Sequence, residues 1–490
     1  MTDLAALTAR LEEAGQSHLL QWWPELSEAQ RTAFAAQLDS INIPHAVTAH
    51  AAATADTNSA INESALSPLP PALCGSNTSL SDSERADLFN QGLRLIAAGS
   101  VGVILLAGGQ GTRLGVAYPK GAYDIGLASG ASLFQLQAER LLKLQELAAG
   151  LAEGGKAVPP IPWYIMTSPA TRGATEEFFA AKDFFGLAQG QVAFFDQGLL
   201  PAFDKTGRII LDRKDAVALA PDGNGGLYAA LGRSGALAKM EQAGLQHLHV
   251  YCVDNCLVRV ADPVFLAFAA GLKADAAAKV VDKEQPGEAV GVLAQYQPPG
   301  AERPEVRVLE YSEISPGLAE SREEGGKLRF RAGNIANHYF RLDFLRRLVG
   351  ECCGRLVHHV ARKKIPFICG VTGERISPSA PNGVKLELFI FDVFRFADRF
   401  GLWTVARGEE FAPLKNADSA GVDCPATARQ AIHSLHKAWL EAAGAKVAEH
   451  GGAEVSAFLS YAGEGLEQFK GRVVHTPAFL LPDSHVKFPM

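Results

Sequence analysis

Short apolar runs alternate with longer amphipathic stretches through the middle of the chain. The apolar runs predict buried strands over 101–108, 163–168, 192–198 and 248–255. Between them, apolar residues recur at helical spacing and predict helices over 132–150, 175–186 and 225–244. Because fully apolar strands that alternate with helices pair into parallel sheets covered on both faces, we expect a mostly parallel α/β sheet with right-handed crossovers.

The pattern is different at the beginning of the chain. Leu4, Leu7 and Leu11 recur at helical spacing and predict an opening helix. The tetrapeptides SEAQ (27–30) and SDSE (81–84) have the form of capping boxes, in which the first and fourth residues satisfy each other's free backbone N–H groups. Each tetrapeptide therefore predicts the start of a further helix.

Two stretches interrupt the regular elements. Residues 45–80 are rich in Ala, Ser, Thr, Asn and Pro and predict a linker, whereas QPPGAERPE at 297–305 separates two short strand patterns and predicts a hairpin loop. We therefore divide the chain into an N-terminal helical region over 1–98, which includes the linker, a central domain over 99–416, and a small C-terminal α+β domain over 417–490.

Composition narrows the class of protein. A chain of 490 residues with 48% hydrophobic and 20% charged residues is typical of a globular protein that is too long for one core. A formal net charge of -7 and a pI near 6.0 argue against nucleic acid as a partner but leave room for a small anionic ligand. No apolar run approaches the length of a membrane span. The start of the chain lacks a signal-peptide pattern, and the seven cysteines lack CxxC spacing, so we expect reduced thiols, no zinc site and a cytoplasmic location.

The glycine-rich segment LLAGGQGTRLGVAYPKG directly follows the first predicted strand. Ligands of doubly wound sheets bind at the carboxyl ends of the strands, where glycines expose backbone N–H groups to anions. Gly108, Gly109 and Gly111 lie in such a position. A tight strand–helix turn is the plain alternative, and the segment matches neither the P-loop nor the complete dinucleotide fingerprint. Arg113 and Lys120 favour a polyphosphate, because two charged side chains serve packing poorly.

A carboxylate and a second glycine-rich turn follow other predicted strands. Asp254 ends VYCVDN at the carboxyl end of an apolar strand, which suits a Mg²⁺ ligand, although a helix N-cap is the alternative. We expect Cys252 and Cys256 beside it to be core residues, since a hard cation prefers oxygen. APDGNGG, at 220–226, predicts a tight turn before a helix.

These segments together resemble the UDP-N-acetylhexosamine pyrophosphorylases, a family of nucleotide-diphospho-sugar transferases. The glycine-rich segment is similar to the family's signature, and further similar segments follow in the family's order along nearly the whole chain: AGQSHLLQWWPEL, PWYIMTS, LAPDGNGGLY, VYCVDN, EYSEIS, AGNIANHYF, PNGVKLELFIFDVF, PLKNADS and FLSYAGEGLE. The resemblance implies an α/β fold with a Rossmann-like central domain of the GT-A type, whose sheet is mostly parallel but mixed.

The resemblance also implies which residues line the site. For the phosphates, the base and the ribose of UTP it implies Leu106, Ala107, Gly108, Gly109, Gly111, Thr112, Gln197, Leu219, Pro221, Gly223 and Asn224. For the sugar it implies Gly291, Glu310, Tyr311, Asn334, Phe389 and Phe391. For catalysis it implies Arg113, Lys120 and Lys415, with Asp254 as both metal ligand and substrate contact. The plain alternatives are turn positions, solvated side chains and, for Phe389 and Phe391 at strand spacing, the core.

The implied reaction joins UTP and N-acetylglucosamine 1-phosphate to give UDP-N-acetylglucosamine and pyrophosphate. A phosphate oxygen of the sugar would attack the α-phosphorus in line, with Mg²⁺, or Mn²⁺ in its place, as the cofactor. Two alternatives stay open at this point, a UDP-glucose or broad-specificity UDP-sugar pyrophosphorylase and a nucleotide-sugar-binding regulator without turnover. We expect no nucleic acid and no membrane among the partners, and a monomer or weak homodimer.

Overall fold

A computed structural model describes residues 4–55, 62–152, 157–310, 313–448 and 451–482 of the chain. The described residues fold into two compact units, each assembled from three stretches of the chain. The first unit takes its residues from 1–59, 197–230 and 351–392, and the second unit from 60–196, 231–350 and 393–490. The division into three consecutive domains stays a prediction, since local periodicity does not report which distant stretches share a core.

The α-helices of the described residues are α1 (Leu4–Glu13), α2 (Glu28–Ser40), α3 (Ile43–Thr54), α4 (Asp82–Ala97), α5 (Leu133–Ala149), α6 (Arg172–Ala181), α7 (Leu227–Arg233), α8 (Ala236–Gln242), α9 (Pro263–Gly271), α10 (Pro316–Glu320), α11 (Leu342–Arg347), α12 (Arg407–Glu410) and α13 (Pro425–Ala442).

The strands are β1 (Leu66–Ser67), β2 (Cys74–Ser76), β3 (Val101–Leu106), β4 (Trp163–Thr167), β5 (Val192–Asp196), β6 (Leu199–Pro201), β7 (Phe203–Asp204), β8 (Leu211–Arg213), β9 (Ala216–Val217), β10 (Leu219–Pro221), β11 (His247–Cys252), β12 (Ala276–Asp282), β13 (Val292–Tyr296), β14 (Glu305–Leu309), β15 (Ala332–Arg341), β16 (His359–Lys363), β17 (Phe367–Ile368), β18 (Arg375–Ile376), β19 (Gly383–Glu387), β20 (Phe400–Val405), β21 (Lys446–Val447), β22 (Ala453–Val455), β23 (Val473–Val474) and β24 (Ala478–Leu480).

The second unit is built on a mixed sheet with the strand order β2-β20-β12-β15-β11-β3-β4-β5. Strand β15 runs antiparallel to both of its neighbours, and the other neighbouring pairs along this path are parallel. Cys252 pairs with Leu106 and Tyr251 pairs with Asn337, so the carboxyl ends of β11 and β3 lie beside the middle of β15. This arrangement confirms the predicted α/β fold with a mostly parallel, mixed sheet.

The core of the second unit explains why its strands read as unbroken apolar runs. Every residue of β3 and β4 is buried, as in parallel strands that helices cover on both faces. Phe179 of α6 lies 5.6 Å from Trp163 and 4.9 Å from Phe134 of α5, measured between ring centroids. Burial of each such ring stabilises the unit by about 2–3 kcal/mol relative to an exposed ring. This packing holds in place the sheet edge that carries the glycine-rich segment.

The first unit has its own core between helices and a small antiparallel sheet. The sheet has the strand order β16-β19-β7, and the cluster that holds it to the helices includes Phe34, Leu38, Ile43, Phe203 and Leu386. The alternating burial of β19 is typical of a strand with one face on a core. Strands β6 and β10 form a separate antiparallel pair in the same unit.

Several local predictions are confirmed. Ser27 and Gln30 form the predicted capping box of α2, and Ser81 and Glu84 form that of α4. The loop over 297–305 joins β13 and β14, which pair antiparallel as the predicted hairpin requires.

Two predictions differ from the structure. The single helix predicted over 225–244 is wrong, because Gly235 adopts a left-handed conformation (φ 71°) that ends α7 and begins α8. The stretch 45–80, predicted as a linker, contains most of α3 and the strands β1 and β2. Asn42 caps α3, whose alanine-rich sequence favours a helix, and β1 and β2 pair with β13 and β20. Residues 56–61 lie outside the described part of the chain.

The last stretch of the chain carries a small cluster of its own. Leu440 of α13 packs with Val455, Leu466 and Val474, and the short pairs β21–β23 and β22–β24 surround this cluster. The C-terminal α+β domain over 417–490 stays a prediction that this packing supports.

In the described ranges, the structure contains no helix that is both long and apolar enough to cross a membrane.

Candidate active site

The turn after β3 exposes consecutive backbone N–H groups. The amide of Ala107 still bonds to Met166 across the sheet, at 2.8 Å. The next three amides, of Gly108, Gly109 and Gln110, have no hydrogen-bond partner among the described residues. A Cβ added to Gly109 would meet no atom within 4 Å, so the surrounding protein does not require a glycine there. Consecutive unpartnered amides of this kind can donate to a bound anion.

The glycine-rich segment folds back on itself and holds this turn open. Gln110 forms an isolated antiparallel bridge with Pro119, in which Lys120 donates its amide to Gly109 at 3.4 Å. A Cβ on Gly111 would overlap the side chain of a valine within the same segment. Gly111 is therefore required by the segment itself, in contrast to Gly109.

A short 3₁₀ turn over Thr112–Leu114 presents the predicted arginine. Leu114 is 7% exposed and anchors the turn in a hydrophobic cluster with Leu414, whereas the side chains of Thr112 and Arg113 are exposed. The carbonyl of Arg113 accepts a 3.1 Å bond from the amide of Ala417. The backbone of Arg113 is thus fixed while its guanidinium remains accessible.

Lys120 and Asp254 lie together at the carboxyl edge of β3 and β11. Lys120 Nζ is 4.0 Å from Asp254 Oδ2 and donates to the carbonyl of Leu414 at 3.1 Å. The carbonyl of Asp254 in turn accepts the amide of Leu414 at 2.8 Å. The two side chains are only 14% and 24% exposed. A half-buried cation is therefore held beside a half-buried carboxylate.

The segment that contains Leu414 also brings Lys415 to this edge of the sheet. Its amide bonds to the carbonyl of Asp423 at 2.7 Å, and its Nζ lies 3.9 Å from Asp423 Oδ2. Burial raises the pKa of Cys252 at the end of β11, and the positive charges of Lys120 and Lys415 act in the opposite direction. Because the amide of Leu414 bonds to the carbonyl of Asp254, the backbone of the next residue, Lys415, also lies near the end of that strand. The structure thus brings Lys120, Asp254 and Lys415 together, as the resemblance implied.

Asn255 is a residue that the sequence did not single out. It is 4% exposed, and its Nδ2 donates to the carbonyl of Glu410 at 2.7 Å. Its Oδ1 accepts from the amides of Leu257, at 3.2 Å, and Ala412, at 3.0 Å. Asn255 also forms an isolated bridge with Pro413. It therefore ties the segment of Asp254 to the segment of Lys415, and the partner that would have revealed this role lies 155 positions away.

A buried ion cluster holds the segment before Lys415 from the other side. Lys279 is fully buried and pairs with Asp262, at 2.5 Å, and with Glu410. Arg259 pairs with Glu409 at 2.9 Å. Burial pushes the pKa of Asp262 upwards, but the charges of Lys279 and Arg259 outweigh it and hold that pKa below its usual value. The cluster thus keeps Glu410 in the place where its carbonyl meets Asn255.

Residues predicted for the sugar lie at the beginning of β15 and beside β13 and β14. The amide of Asn334 donates to the carbonyl of Gly291 at 2.8 Å. A Cβ on Gly291 would lie 3.0 Å from Glu310 Oε1, so these three predicted residues are neighbours. The amide of Glu310 bonds to Glu313 at 2.9 Å. Tyr311 lies outside the described residues.

The first unit contains the residues predicted for the base and the ribose. Gln197 is buried (8% exposed), and Leu219 packs against the core cluster of this unit. Leu219 and Pro221 belong to β10, which pairs with β6, and Pro221 is exposed. Asn224 Oδ1 accepts from the amide of Ile390 at 3.0 Å.

The turn at Gly223 is closed by the protein itself. Gly223 has φ +89°, and a Cβ there would lie 2.5 Å from the carbonyl oxygen of Leu388. The amide of Gly225 bonds to the same carbonyl at 2.8 Å, and the amide of Leu388 bonds back to Asp222 at 2.8 Å. Glycine at 223 therefore serves the packing of two backbone segments within this unit.

Phe389 and Phe391 do not lie on a strand, although their spacing predicted one. Phe389 directly precedes a 3₁₀ segment over Ile390–Phe396. The amide of Ile390 bonds to the side chain of Asn224 rather than to a neighbouring strand. The two rings are nevertheless neighbours, with centroids 5.2 Å apart. His359 stacks on Phe389 at 4.1 Å and bonds to Asp392 at 2.8 Å, so it orders this aromatic pair.

The donor set at the sheet edge suits a magnesium ion. The described residues contain no cluster of three or more His, Cys, Asp or Glu side chains that would enclose a metal. Mg²⁺ in phosphoryl-transfer sites uses one or two carboxylates and takes its remaining ligands from water and phosphate oxygens. Asp254, half-buried beside the open turn, fits that requirement.

Comparisons with known proteins agree over almost the whole chain. A sequence profile of the family described as UTP--glucose-1-phosphate uridylyltransferase matches residues 46–447. The chain is 45% identical to the UDP-N-acetylhexosamine pyrophosphorylase-like protein 1 of Homo sapiens, covering 97% of this chain and 96% of that protein. It is 44% identical to the UDP-N-acetylglucosamine pyrophosphorylase of Saccharomyces cerevisiae, covering 98% and 100%.

A solved structure extends the agreement to three dimensions. The uridine diphosphate N-acetylglucosamine pyrophosphorylase from Trypanosoma brucei, in complex with inhibitor, superposes with a TM-score of 0.83 at 29% identity and covers 99% of each chain. A UDP-glucose pyrophosphorylase from Leishmania major, at 20% identity and a TM-score of 0.56, shares the fold. The chain described here belongs to the UTP--glucose-1-phosphate uridylyltransferase family and, within it, to the UDP-N-acetylhexosamine pyrophosphorylases.

Proposed function

We propose that this chain transfers the uridylyl group of UTP to N-acetylglucosamine 1-phosphate, with release of pyrophosphate. The relatives that it covers over nearly their full length carry the name of this activity. The observation that carries the proposal is the row of unpartnered amides at Gly108, Gly109 and Gln110, beside the pair of Lys120 and Asp254. An anion with several phosphates matches this combination of open N–H groups and a fixed cation.

The chemistry asks the protein for position and charge rather than for a nucleophile. The attacking phosphate oxygen is already ionised, so the barrier arises from bringing two anions together. In this proposal the amides of the open turn bind the triphosphate, and the exposed guanidinium of Arg113 binds charge that grows on the departing pyrophosphate. The backbone of Arg113 is fixed by Ala417, so only its side chain has to become ordered in that step.

Lys120 and Asp254 divide two tasks at the same edge. Asp254 is the residue that would hold a divalent ion, for which Mg²⁺ is our first choice and Mn²⁺ the alternative. When bound, that ion would neutralise part of the negative charge of the phosphates. Lys120 donates to the carbonyl of Leu414 and lies 4.0 Å from Asp254 Oδ2, and it would add a cation for the pyrophosphate oxygens. Lys415 would bind the phosphate of the incoming sugar, since it is the more exposed of the two lysines.

The remaining contacts carry selectivity. In the second unit, Leu106, Ala107, Gly111 and Thr112 shape the phosphate turn, and Gly291, Glu310, Tyr311 and Asn334 would contact the sugar. In the first unit, Gln197, Leu219, Pro221, Gly223 and Asn224 would contact the base and the ribose, and Phe389 and Phe391 would contact the acetamido group. Tight turns offer a base edge the backbone N–H and C=O groups that it can pair with.

We also propose a cellular compartment and an oligomeric state for the protein. The seven cysteines are all free thiols, which supports a reducing, cytoplasmic compartment. We expect a monomer or weak homodimer, and size-exclusion chromatography coupled to light scattering would measure the mass.

A substrate panel tests the reaction. Pyrophosphate release is measured with UTP, Mg²⁺ and one sugar at a time: N-acetylglucosamine 1-phosphate, N-acetylgalactosamine 1-phosphate or glucose 1-phosphate. We expect the highest kcat/KM with N-acetylglucosamine 1-phosphate. A higher value with glucose 1-phosphate would contradict the proposal in favour of a UDP-glucose enzyme, and no release with any sugar would favour a nucleotide-sugar-binding regulator.

A further inference from the structure

Strand β15 is interrupted where it passes the predicted sugar residues. Lys279 of β12 pairs with Asn337 and the next residue, Val280, pairs with Asn334, so two residues of β15 bulge out of the ladder. One of them, Ala336, has φ +51°, a left-handed conformation that a residue with a Cβ adopts at an energetic cost. Strain of this kind persists only where surrounding contacts hold it, and it is common next to functional sites.

The bulge fixes the orientation of the Asn334 carboxamide. The backbone amide of Ala336 donates to Asn334 Oδ1 at 3.1 Å. A backbone N–H can only donate, so the atom that it meets must be the carbonyl oxygen and not the NH₂ group. The second polar end of the side chain, Nδ2, has no hydrogen-bond partner in the ranges that the structure describes, and it is not among the buried unpartnered atoms. Asn334 therefore presents two free, accessible donors.

The oxygen of Asn334 in turn fixes the proton on His338. His338 Nε2 lies 3.2 Å from Asn334 Oδ1, and because that oxygen only accepts, Nε2 must carry the proton. His338 is fully buried, and its Nδ1 is a buried atom without a partner in the described chain. Burial, and then the neighbouring His249, lower the pKa of His338 to about 3, so the ring is neutral. A neutral ring with the proton on Nε2 leaves Nδ1 without a proton.

His249 and Asn337 form a matching pair on the other side of the bulge. The backbone amide of Ala261 donates to His249 Nδ1 at 2.9 Å, so the proton of this ring is also on Nε2, which bonds to Asn337 Oδ1 at 2.7 Å. Burial, and then the charge of Lys279, lower the pKa of His249 to about 4. The Asn337 amide differs in one respect, since its Nδ2 is buried and unpartnered. Of these two asparagines, which each accept a hydrogen bond from a histidine ring, only Asn334 has an accessible NH₂ group.

We propose that His338 is a positioning residue for sugar recognition, which locks the Asn334 carboxamide so that its NH₂ group reads an acceptor oxygen of the sugar 1-phosphate. The proposal rests on the proposed function, in which Asn334 contacts the sugar. Without the His338 Nε2–H, one of the two donors that hold the Asn334 oxygen is lost, and only the Ala336 amide, at 3.1 Å, still restrains the carboxamide. The acceptor is a ring hydroxyl or the acetamido carbonyl, two oxygens that the choice of substrate separates.

Steady-state kinetics of His338→Leu and His338→Gln test the role, since Gln keeps an N–H donor near the position of Nε2. For His338→Leu we expect the KM for N-acetylglucosamine 1-phosphate to rise about fivefold to tenfold, while kcat and the KM for UTP stay within about twofold. His338→Gln should restore most of the KM. An equal rise with glucose 1-phosphate assigns the acceptor to a hydroxyl, and a rise confined to the N-acetylated sugar assigns it to the acetamido carbonyl.

A double-mutant cycle separates positioning from a general packing defect. In an Asn334→Ala background, His338→Leu should raise the sugar KM no further, because the residue through which it acts is gone. A further rise in that background, or an equal rise in the KM for UTP, would overturn the proposal.

A measurement on the unaltered protein covers the case in which the leucine variant does not fold. ¹⁵N NMR of the histidine rings should show His338 neutral, protonated on Nε2 and unprotonated on Nδ1 at pH 7. A proton on Nδ1 would overturn the proposal. If the wild-type protein releases no pyrophosphate with any sugar, the proposed function fails while the NMR result still reports on the Asn334–His338 pair.

Discussion

Two glycine-rich turns, at 108–111 in the second unit and at 223–226 in the first unit, use glycine for opposite reasons. In the turn at 108–111 the amides of Gly108, Gly109 and Gln110 are unpartnered in the described chain, and a side chain on Gly109 would meet nothing. In the second turn a side chain on Gly223 would strike the backbone of Leu388, and the amide of Gly225 is already bonded to that backbone. A sequence shows both as runs of glycine, but the packing of the protein requires the glycine at 223 and does not require the one at 109.

The difference teaches how to separate function from packing. A glycine that the fold requires is a stability residue, because its replacement forces two backbone segments apart. A glycine that the fold does not require, in a turn with open amides, is a candidate contact of something that the chain does not supply. Substitutions in the two turns should therefore be visible in different experiments, melting for one and kinetics for the other.

The largest expected effect lies in the open turn. Arg113→Ala removes an exposed guanidinium whose backbone is held independently, so we expect kcat/KM to fall about 100-fold, or about 3 kcal/mol, without a change in melting temperature. Pyrophosphate release and thermal melting measure the two quantities. Arg94→Ala, at an exposed arginine in α4, is the matched control and should change neither. Near wild-type turnover of Arg113→Ala would show that the open turn does not act on phosphates in this way.

The carboxylate beside the turn should affect metal dependence. Asp254→Asn keeps the shape of the side chain but removes the charge that we propose for the divalent ion, so half-maximal activity should need about tenfold more Mg²⁺ or more. A Mg²⁺ titration of pyrophosphate release measures the shift. Asp39→Asn, which changes an exposed carboxylate paired with Arg10, should leave the titration in place. An unchanged titration for Asp254→Asn would mean that another group holds the ion.

The closed turn should respond in stability. Gly223→Ala combines a φ of +89° with a 2.5 Å approach to the Leu388 carbonyl, and we expect a loss of about 2–3 kcal/mol in the free energy of unfolding. Chemical denaturation monitored by circular dichroism measures it. Gly235→Ala shares a positive φ (+71°) but has no atom within 4 Å, so it should lose less. Equal losses in the two variants would show that conformation alone, not the close approach, requires glycine at 223.

The smallest effect sharpens the comparison most. Gly109→Ala should leave the melting temperature unchanged, since the added Cβ meets no protein atom, but it should raise the KM for UTP about fivefold by crowding the open amides. Gly190→Ala, at an exposed position before β5 where a Cβ also meets nothing, is the control. A drop in the stability of Gly109→Ala with no change in KM would place this turn in the same class as 223–226.

The sequence predicted most of the second unit because its signals are local. Apolar runs and amphipathic periods report strands and helices, and the capping box at Ser81 reports where α4 begins, as the one at Ser27 does for α2 in the first unit. The break at Gly235 was missed because apolar residues recur at helical spacing on both sides of it, although Gly232, Ser234 and Gly235 are themselves typical of a turn. The reversed direction of β15, and the assembly of each unit from three stretches, depend on contacts between distant positions and leave no local pattern.

The site was predicted in part, for the same reason. The cations and the carboxylate of the phosphate edge follow glycine-rich or strand-end motifs that a sequence displays. Asn255 and His338 act through hydrogen bonds to residues whose proximity the sequence does not reveal, namely Glu410 and, across a bulge, Asn334. Their side chains are ordinary buried amides and rings until the partners are known.

A structure with UTP and Mg²⁺ bound tests the central claim most directly. If the open turn is the phosphate site, phosphate oxygens will lie about 3 Å from the amide nitrogens of Gly109 and Gln110, within reach of Arg113 and Lys120. Phosphates found elsewhere, with these amides still facing solvent, would contradict the account.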